Sequence, residues 1–136
     1  MNTPLSPQDK DNAHTPRRFF MFWGIPLCGL AAASLLPLMP AVETGLFITS
    51  FAWIGIACLV NAMQCSRVHC WFTGPWCLLT ALLLLADVLA IPGTRQLSFS
   101  LIVNVGGAGT VVLWLVPELA LGRYFVKSGA VRNDQR

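Results

Sequence analysis

Residues 99–121 read FSLIVNVGGAGTVVLWLVPELAL, a run with no charge until Glu118. A helix that crosses a bilayer needs about 20 mostly apolar residues at 1.5 Å of rise each. This stretch meets that length, and three more like it precede it. Residues 19–39 and 46–63 carry no charge, and leucine-rich 76–91 carries only Asp87. Pro40, Pro75 and Pro92 stand in the gaps, where a missing N–H and a fixed φ do least harm. The expected fold is an all-α membrane protein, an up-down bundle of four transmembrane helices joined by short loops. Polar tails at 1–18 and 122–136 flank the four-span domain.

Composition supports this reading. Of 136 residues, 55% are hydrophobic and 11% charged, against about 45–50% apolar and about 25% charged in soluble domains. Mean hydropathy is +0.64. So few charges cannot clothe a soluble domain of this size, and so apolar a chain is not disordered. Nucleic-acid binding is excluded on distribution: the net charge of +3 comes from basic tails and not from a folded basic face. The primary partner is the lipid bilayer.

The lysines and arginines set the orientation. Lys10, Arg17 and Arg18 lie in the first tail, Arg67 between spans two and three, and Arg123, Lys127, Arg132 and Arg136 in the last tail. With four spans these share one side, leaving Arg95 alone on the other. Basic residues that flank spans stay cytoplasmic, so both termini and the 64–75 loop are expected in the cytoplasm. The corresponding location is a bacterial inner membrane. Trp23, Trp71, Trp76, Trp114 and Tyr124 all fall towards that side, as an aromatic belt should. A rival reading takes the first span as a cleaved signal peptide, with Arg17-Arg18 as its charged region and Ala31–Ala33 as its cleavage site. The apolar run continues past those alanines, which favours a retained span.

The densest chemistry lies between spans two and three. Three of the five cysteines, Cys65, Cys70 and Cys77, fall within thirteen residues of each other, and His69 sits among them. In a reducing cytoplasm these thiols stay free. Free thiols beside an imidazole suit soft or borderline cations such as Zn²⁺, Cu⁺ or Hg²⁺, which makes Cys65, His69 and Cys70 a candidate metal site. If the second helix runs past Met63, Cys58, Asn61, Cys65 and His69 form one stripe on it. Cys70 then ends that helix, and Gly74-Pro75 turns the chain into span three. Arg67 would favour the thiolate of a neighbouring cysteine. The bland alternative is equally physical: cysteine packs well in buried helices, and His69 can pair with Glu118, which ends span four on the same side.

Asn61-Ala62, Cys65-x-Arg67-x-His69-Cys70 and Thr73-Gly74-Pro75 together resemble a signature in small, uncharacterised bacterial four-span membrane proteins. The resemblance implies no activity. The size and four-span plan are also similar to some mercury-resistance inner-membrane transporters. Those present a cysteine pair within the first span, where this chain has only Cys28.

Asp87 and Asn104 are the polar groups embedded deepest. Each lies about five residues from the outer end of its span, so an Asp87–Asn104 hydrogen bond between spans three and four is expected. A carboxylate in a span costs about 2.5–3.5 kcal/mol on insertion scales, which also makes it a candidate on an ion path. Gly106, Gly107 and Gly109 in span four, and Gly29 with Ala33 in span one, read as close helix contacts. The glycine run lacks the Lys-Ser/Thr of a phosphate loop.

Three function classes follow. The first is a non-enzymatic accessory or interaction subunit, homo-oligomeric or in a membrane complex. The second is a soft-metal binding or transport protein. The third is a membrane thiol enzyme, disfavoured because no Cys-x-x-Cys pair, paired carboxylates or cofactor fingerprint is present. No catalytic residue is expected.

Overall fold

The computed structural model describes residues 16–65, 67–91 and 97–121, with the backbone alone at 65 and 121. Four helices are long and apolar enough to cross a membrane: α1 (Pro16–Leu35), α2 (Pro40–Cys65), α3 (Val68–Val88) and α4 (Phe99–Leu121). The chain is a multi-pass all-α membrane protein. The tails, Arg95 and Tyr124 lie outside the described residues.

Each helix packs on its neighbour in sequence, with α2 and α3 at the centre. Half of the most apolar window of α2 and of α3 is buried, against 11% in α1 and α4. The outer helices therefore present their apolar side chains outward. Val105, Val112 and Leu115 on α4 and Leu27 on α1 are exposed, as side chains facing lipid should be.

Small residues let the backbones approach, because no hydrophobic force drives helices together in hydrocarbon. A Cβ on Gly55 of α2 would come within 3.0 Å of the Gly74 carbonyl of α3. Gly106 of α4 lies against the Thr80 side chain, and Gly109 against the Trp76 indole. Gly29 of α1 faces Ser50 of α2, and Ala33 is buried a turn further on. Of the glycine run in α4, Gly107 alone faces open space.

Helix boundaries depart from the expected spans at informative places. Pro40 does not punctuate a loop; it opens α2 at its first position, where its fixed φ suits a helix and its missing N–H is not needed. Glu43 in that first turn complements the helix dipole. In α1, residues Phe20–Gly24 form a π-helical turn, and the Ile25 N–H bonds back to the Phe20 carbonyl. Pro26 explains it: its ring crowds the carbonyl four residues earlier and supplies no N–H to it.

The largest correction concerns residues 64–75, expected as a loop. The chain leaves α2 after Cys65, Arg67 is extended (φ −64°, ψ 127°), and α3 begins at Val68. The single stripe through Cys65 and His69 therefore does not exist, since His69 stands on α3. Pro75 lies inside α3 and does not break it. Transmembrane helices tolerate proline where neighbouring helices re-satisfy the freed backbone groups. Trp76 is thereby carried about 12 Å down the helix. Its Nε1 donates to the Gly106 carbonyl at 3.0 Å, so it braces α4 and is not a belt residue.

α3 ends in a compact cap. The Ala90 N–H bonds the Asp87 carbonyl at 3.0 Å and the Ile91 N–H bonds the Ala86 carbonyl at 3.0 Å, with Ala90 at φ 54°. This is a Schellman motif whose left-handed position holds alanine where glycine is usual.

Candidate polar centre at the α2–α3 end

Antiparallel packing brings the start of α1, the end of α2, the start of α3 and the end of α4 to one end of the bundle. Four side chains meet there in a continuous chain. His69 Nδ1 lies 2.9 Å from Glu118 Oε1, and His69 Nε2 lies 3.3 Å from Cys70 Sγ. Asn61 Nδ2 donates to Cys70 Sγ at 3.7 Å. With the ring proton on Nδ1, His69 donates to the Glu118 carboxylate. Nε2 is then the acceptor for the Cys70 thiol. The proton order is Asn61 to Cys70 to His69 to Glu118, and it links α2, α3 and α4.

The first turns of α3 make this possible. Val68, His69 and Cys70 are consecutive, yet all three are buried, because α2 and α4 cover both sides of the helix start. Trp114 of α4 stands edge-on to the imidazole, with ring centroids 6.5 Å apart and an interplanar angle of 79°. Cys58 of α2 belongs to the same buried cluster as Cys70 and Cys77. Cys77 Sγ and Thr110 Oγ1 lie 3.4 Å apart, and Thr110 donates to the Gly106 carbonyl at 2.8 Å.

Of the residues singled out from sequence, Asn61, His69, Cys70 and Glu118 meet in one network. Thr73 and Gly74 are buried one turn further along α3. Pro75 is exposed. The Cys65 side chain lies outside the described residues. Among those described, no three His, Cys, Asp or Glu side chains gather into a metal-binding group.

The second expected site does not assemble. Asn104 Nδ2 donates within its own helix, to the Ser100 carbonyl at 2.8 Å and to Ser100 Oγ at 3.1 Å. The short side chain finds a carbonyl one turn back more readily than a carboxylate on the next helix. Asp87 makes no side-chain hydrogen bond or ion pair among the described residues.

Sequence reasoning passed over a cavity of about 290 Å³ beside the polar chain. Phe19, Trp23 and Leu27 of α1 form one wall, and Val111 and Trp114 of α4 the other. Arg67, just before α3, and His69 and Thr73 of α3 line it from within. Thr73 is 2% exposed, and its Oγ1 has no hydrogen-bond partner among the described residues. The motif residues Arg67, His69 and Thr73 were the available signal, but only the packing of α1 and α4 reveals the space between them.

Compared with family models, curated proteins and solved structures, the chain has no significant match.

Proposed function

We propose that this multi-pass membrane protein is a non-enzymatic accessory subunit of a bacterial inner membrane, with both tails and the α2–α3 turn in the cytoplasm. The orientation rests on the basic residues: eight of nine belong to that end, as cytoplasmic flanks do. The functional reading rests on how the polar chain is enclosed. Cys70 is 0% exposed and His69 2%, and each polar member bonds another. Such a network ties three helices together. A thiol enzyme would need its nucleophile open to substrate, and both ring nitrogens of His69 are occupied. A soft metal at Cys65, His69 and Cys70 would have to displace Glu118 or Cys70 from the ring.

Blue native electrophoresis of membranes containing the protein at native abundance tests the accessory role. The expected result is a discrete band that holds a second polypeptide in fixed ratio, whose abundance falls when this chain is deleted. Migration only as a monomer or homo-oligomer, with no other protein affected by the deletion, contradicts it. Stoichiometric Zn²⁺, Cu⁺ or Hg²⁺ binding, abolished by Cys65→Ser with Cys70→Ser, would establish the metal reading instead.

A further inference from the structure

We propose that the outward side of α4 docks a second copy of this chain, the two α4 helices lying side by side with Ser100 and Asn104 paired across a two-fold axis. The place of these two residues, the bonds they leave unmade and the small side chain below them lead there.

Ile102 and Gly106 of α4 are buried, and Gly106 lies against Thr80 of α3. At about 100° per residue, Asn104 stands about 160° round the helix from both. It is exposed, as are Ser100, Leu101, Ala108 and Leu115 on the same side. The helix has 23 residues, about 34 Å of rise against a hydrocarbon core of about 30 Å. Asn104, the sixth of them, is therefore about 5 Å inside the hydrocarbon and turned away from its own bundle. Lipid tails offer no hydrogen bond, and asparagine in a span serves contacts between helices.

Asn104 gives both amide hydrogens to its own helix, one to the Ser100 carbonyl at 2.8 Å and one to Ser100 Oγ at 3.1 Å. Among the described residues its Oδ1 accepts nothing, and the Ser100 hydroxyl hydrogen has no acceptor. The patch thus holds one unused acceptor and one unused donor. The bond to Ser100 Oγ draws the amide up to the level of the hydroxyl, so the two groups share one height. Across a two-fold axis along the membrane normal, the Ser100 hydroxyl of one copy donates to Asn104 Oδ1 of the other. Symmetry supplies the reverse contact. An unrelated helix would need the same donor and acceptor at the same spacing; a second copy has them already.

Side chains this short bond across helices only where the backbones come close. Ala108 lies one turn below Asn104 and Ser100 one turn above, so no long side chain holds the helices apart along that line. Gly106 and Gly109 are turned to Thr80 and Trp76 of α3 and serve the contact within the chain. Only 11% of the most apolar window of α4 is buried, which leaves the opposite side uncovered by the chain itself. One polar position in an apolar helix contact also fixes its register. This interface does not depend on the accessory role, which concerns a different polypeptide.

The test counts subunits and maps the face. The full chain, carrying one fluorescent protein at its C-terminus, is reconstituted in phosphatidylcholine vesicles, and photobleaching steps are counted as the protein-to-lipid ratio rises. Two-step bleaching above random co-occupancy is expected. Asn104→Val and Ser100→Ala should each weaken the dimer about threefold to twentyfold, as loss of hydrogen bonds between membrane helices does. With wild type as the blank, Ala108→Cys should cross-link to itself on mild oxidation, and Leu82→Cys, exposed on α3, should not. Single-step bleaching at every ratio overturns the proposal. So do dimers that Asn104→Val leaves unchanged, or dimers that cross-link through Leu82→Cys and not through Ala108→Cys. An Ala108→Cys product formed in cell membranes only with another polypeptide overturns it too, and assigns the face to a different partner. If Asn104→Val fails to fold, the Ala108→Cys and Leu82→Cys pair decides.

Discussion

His69 and Glu118, 49 residues apart in sequence, are joined by a 2.9 Å contact between Nδ1 and Oε1 that closes the start of α3 onto the end of α4. The imidazole is buried and the carboxylate is partly exposed, at 2% and 21%. Each ring nitrogen has a partner, and the pair is extended to α2 through Cys70 and Asn61. Replacing one member therefore affects three helices at once.

Cys70 is the junction of that network. Cys70→Ala removes the group that bonds both Asn61 and His69, and leaves buried polar atoms without it. A loss of about 1–3 kcal/mol is expected. Cys70→Ser keeps a donor and an acceptor at the same place and should lose less. Thermal unfolding in detergent, followed by circular dichroism, gives the order wild type, Ser, Ala. An alanine variant as stable as wild type would show that the thiol's bonds contribute nothing.

Gly106 and Gly107 are adjacent and should respond in opposite ways. A Cβ at Gly106 collides with Thr80 of α3, so Gly106→Ala is expected to destabilise by about 1–3 kcal/mol through overpacking. Gly107 meets nothing, so Gly107→Ala should be neutral or stabilise by up to about 1 kcal/mol through helix propensity. Unfolding midpoints of the two variants check the pair, and equal effects would mean that the α3–α4 contact lies elsewhere.

Ala90 holds a left-handed conformation at the end of α3, which alanine adopts at a cost of about 1–2 kcal/mol. Ala90→Gly removes that strain and should raise stability by about 0.5–1 kcal/mol, the larger freedom of glycine in the unfolded chain offsetting part of the gain. A β-branched residue there should lower it. A fall in midpoint for the glycine variant would contradict the cap.

Topology can be read from thiols placed in the tails. In a background lacking the native cysteines, Asn12→Cys and Ser128→Cys should resist a membrane-impermeant maleimide in intact cells and react after permeabilisation. Labelling of either without permeabilisation reverses the proposed orientation.

Much of this architecture was legible because exclusion of charge is a long-range signal that needs no partner. Residues 99–121 announce a span whatever they pack against. The His69–Glu118 pairing was within reach for the same reason: once four spans alternate, both residues fall at one end. Proline was the misleading signal. In water Pro75 would end a helix, and sequence alone puts the boundary there; inside a bundle the surrounding helices tolerate it, so α3 begins at Val68. Asn104 does not meet Asp87 because two residues at equal depth need not face each other, and Ser100 offers a nearer acceptor. The cavity could not be read at all, because its walls come from the first and last helices, about ninety residues apart. Thr73 belonged to the motif, but an unpartnered hydroxyl is a property of packing.

The most direct test of the central claim is a double-mutant cycle between His69→Leu and Glu118→Leu, with unfolding free energies measured in bicelles. A polar contact that holds α3 to α4 should give a coupling of about 0.6–1.7 kcal/mol, the range for hydrogen bonds between membrane helices. Effects that add to within about 0.3–0.5 kcal/mol, as for independent sites, would contradict it.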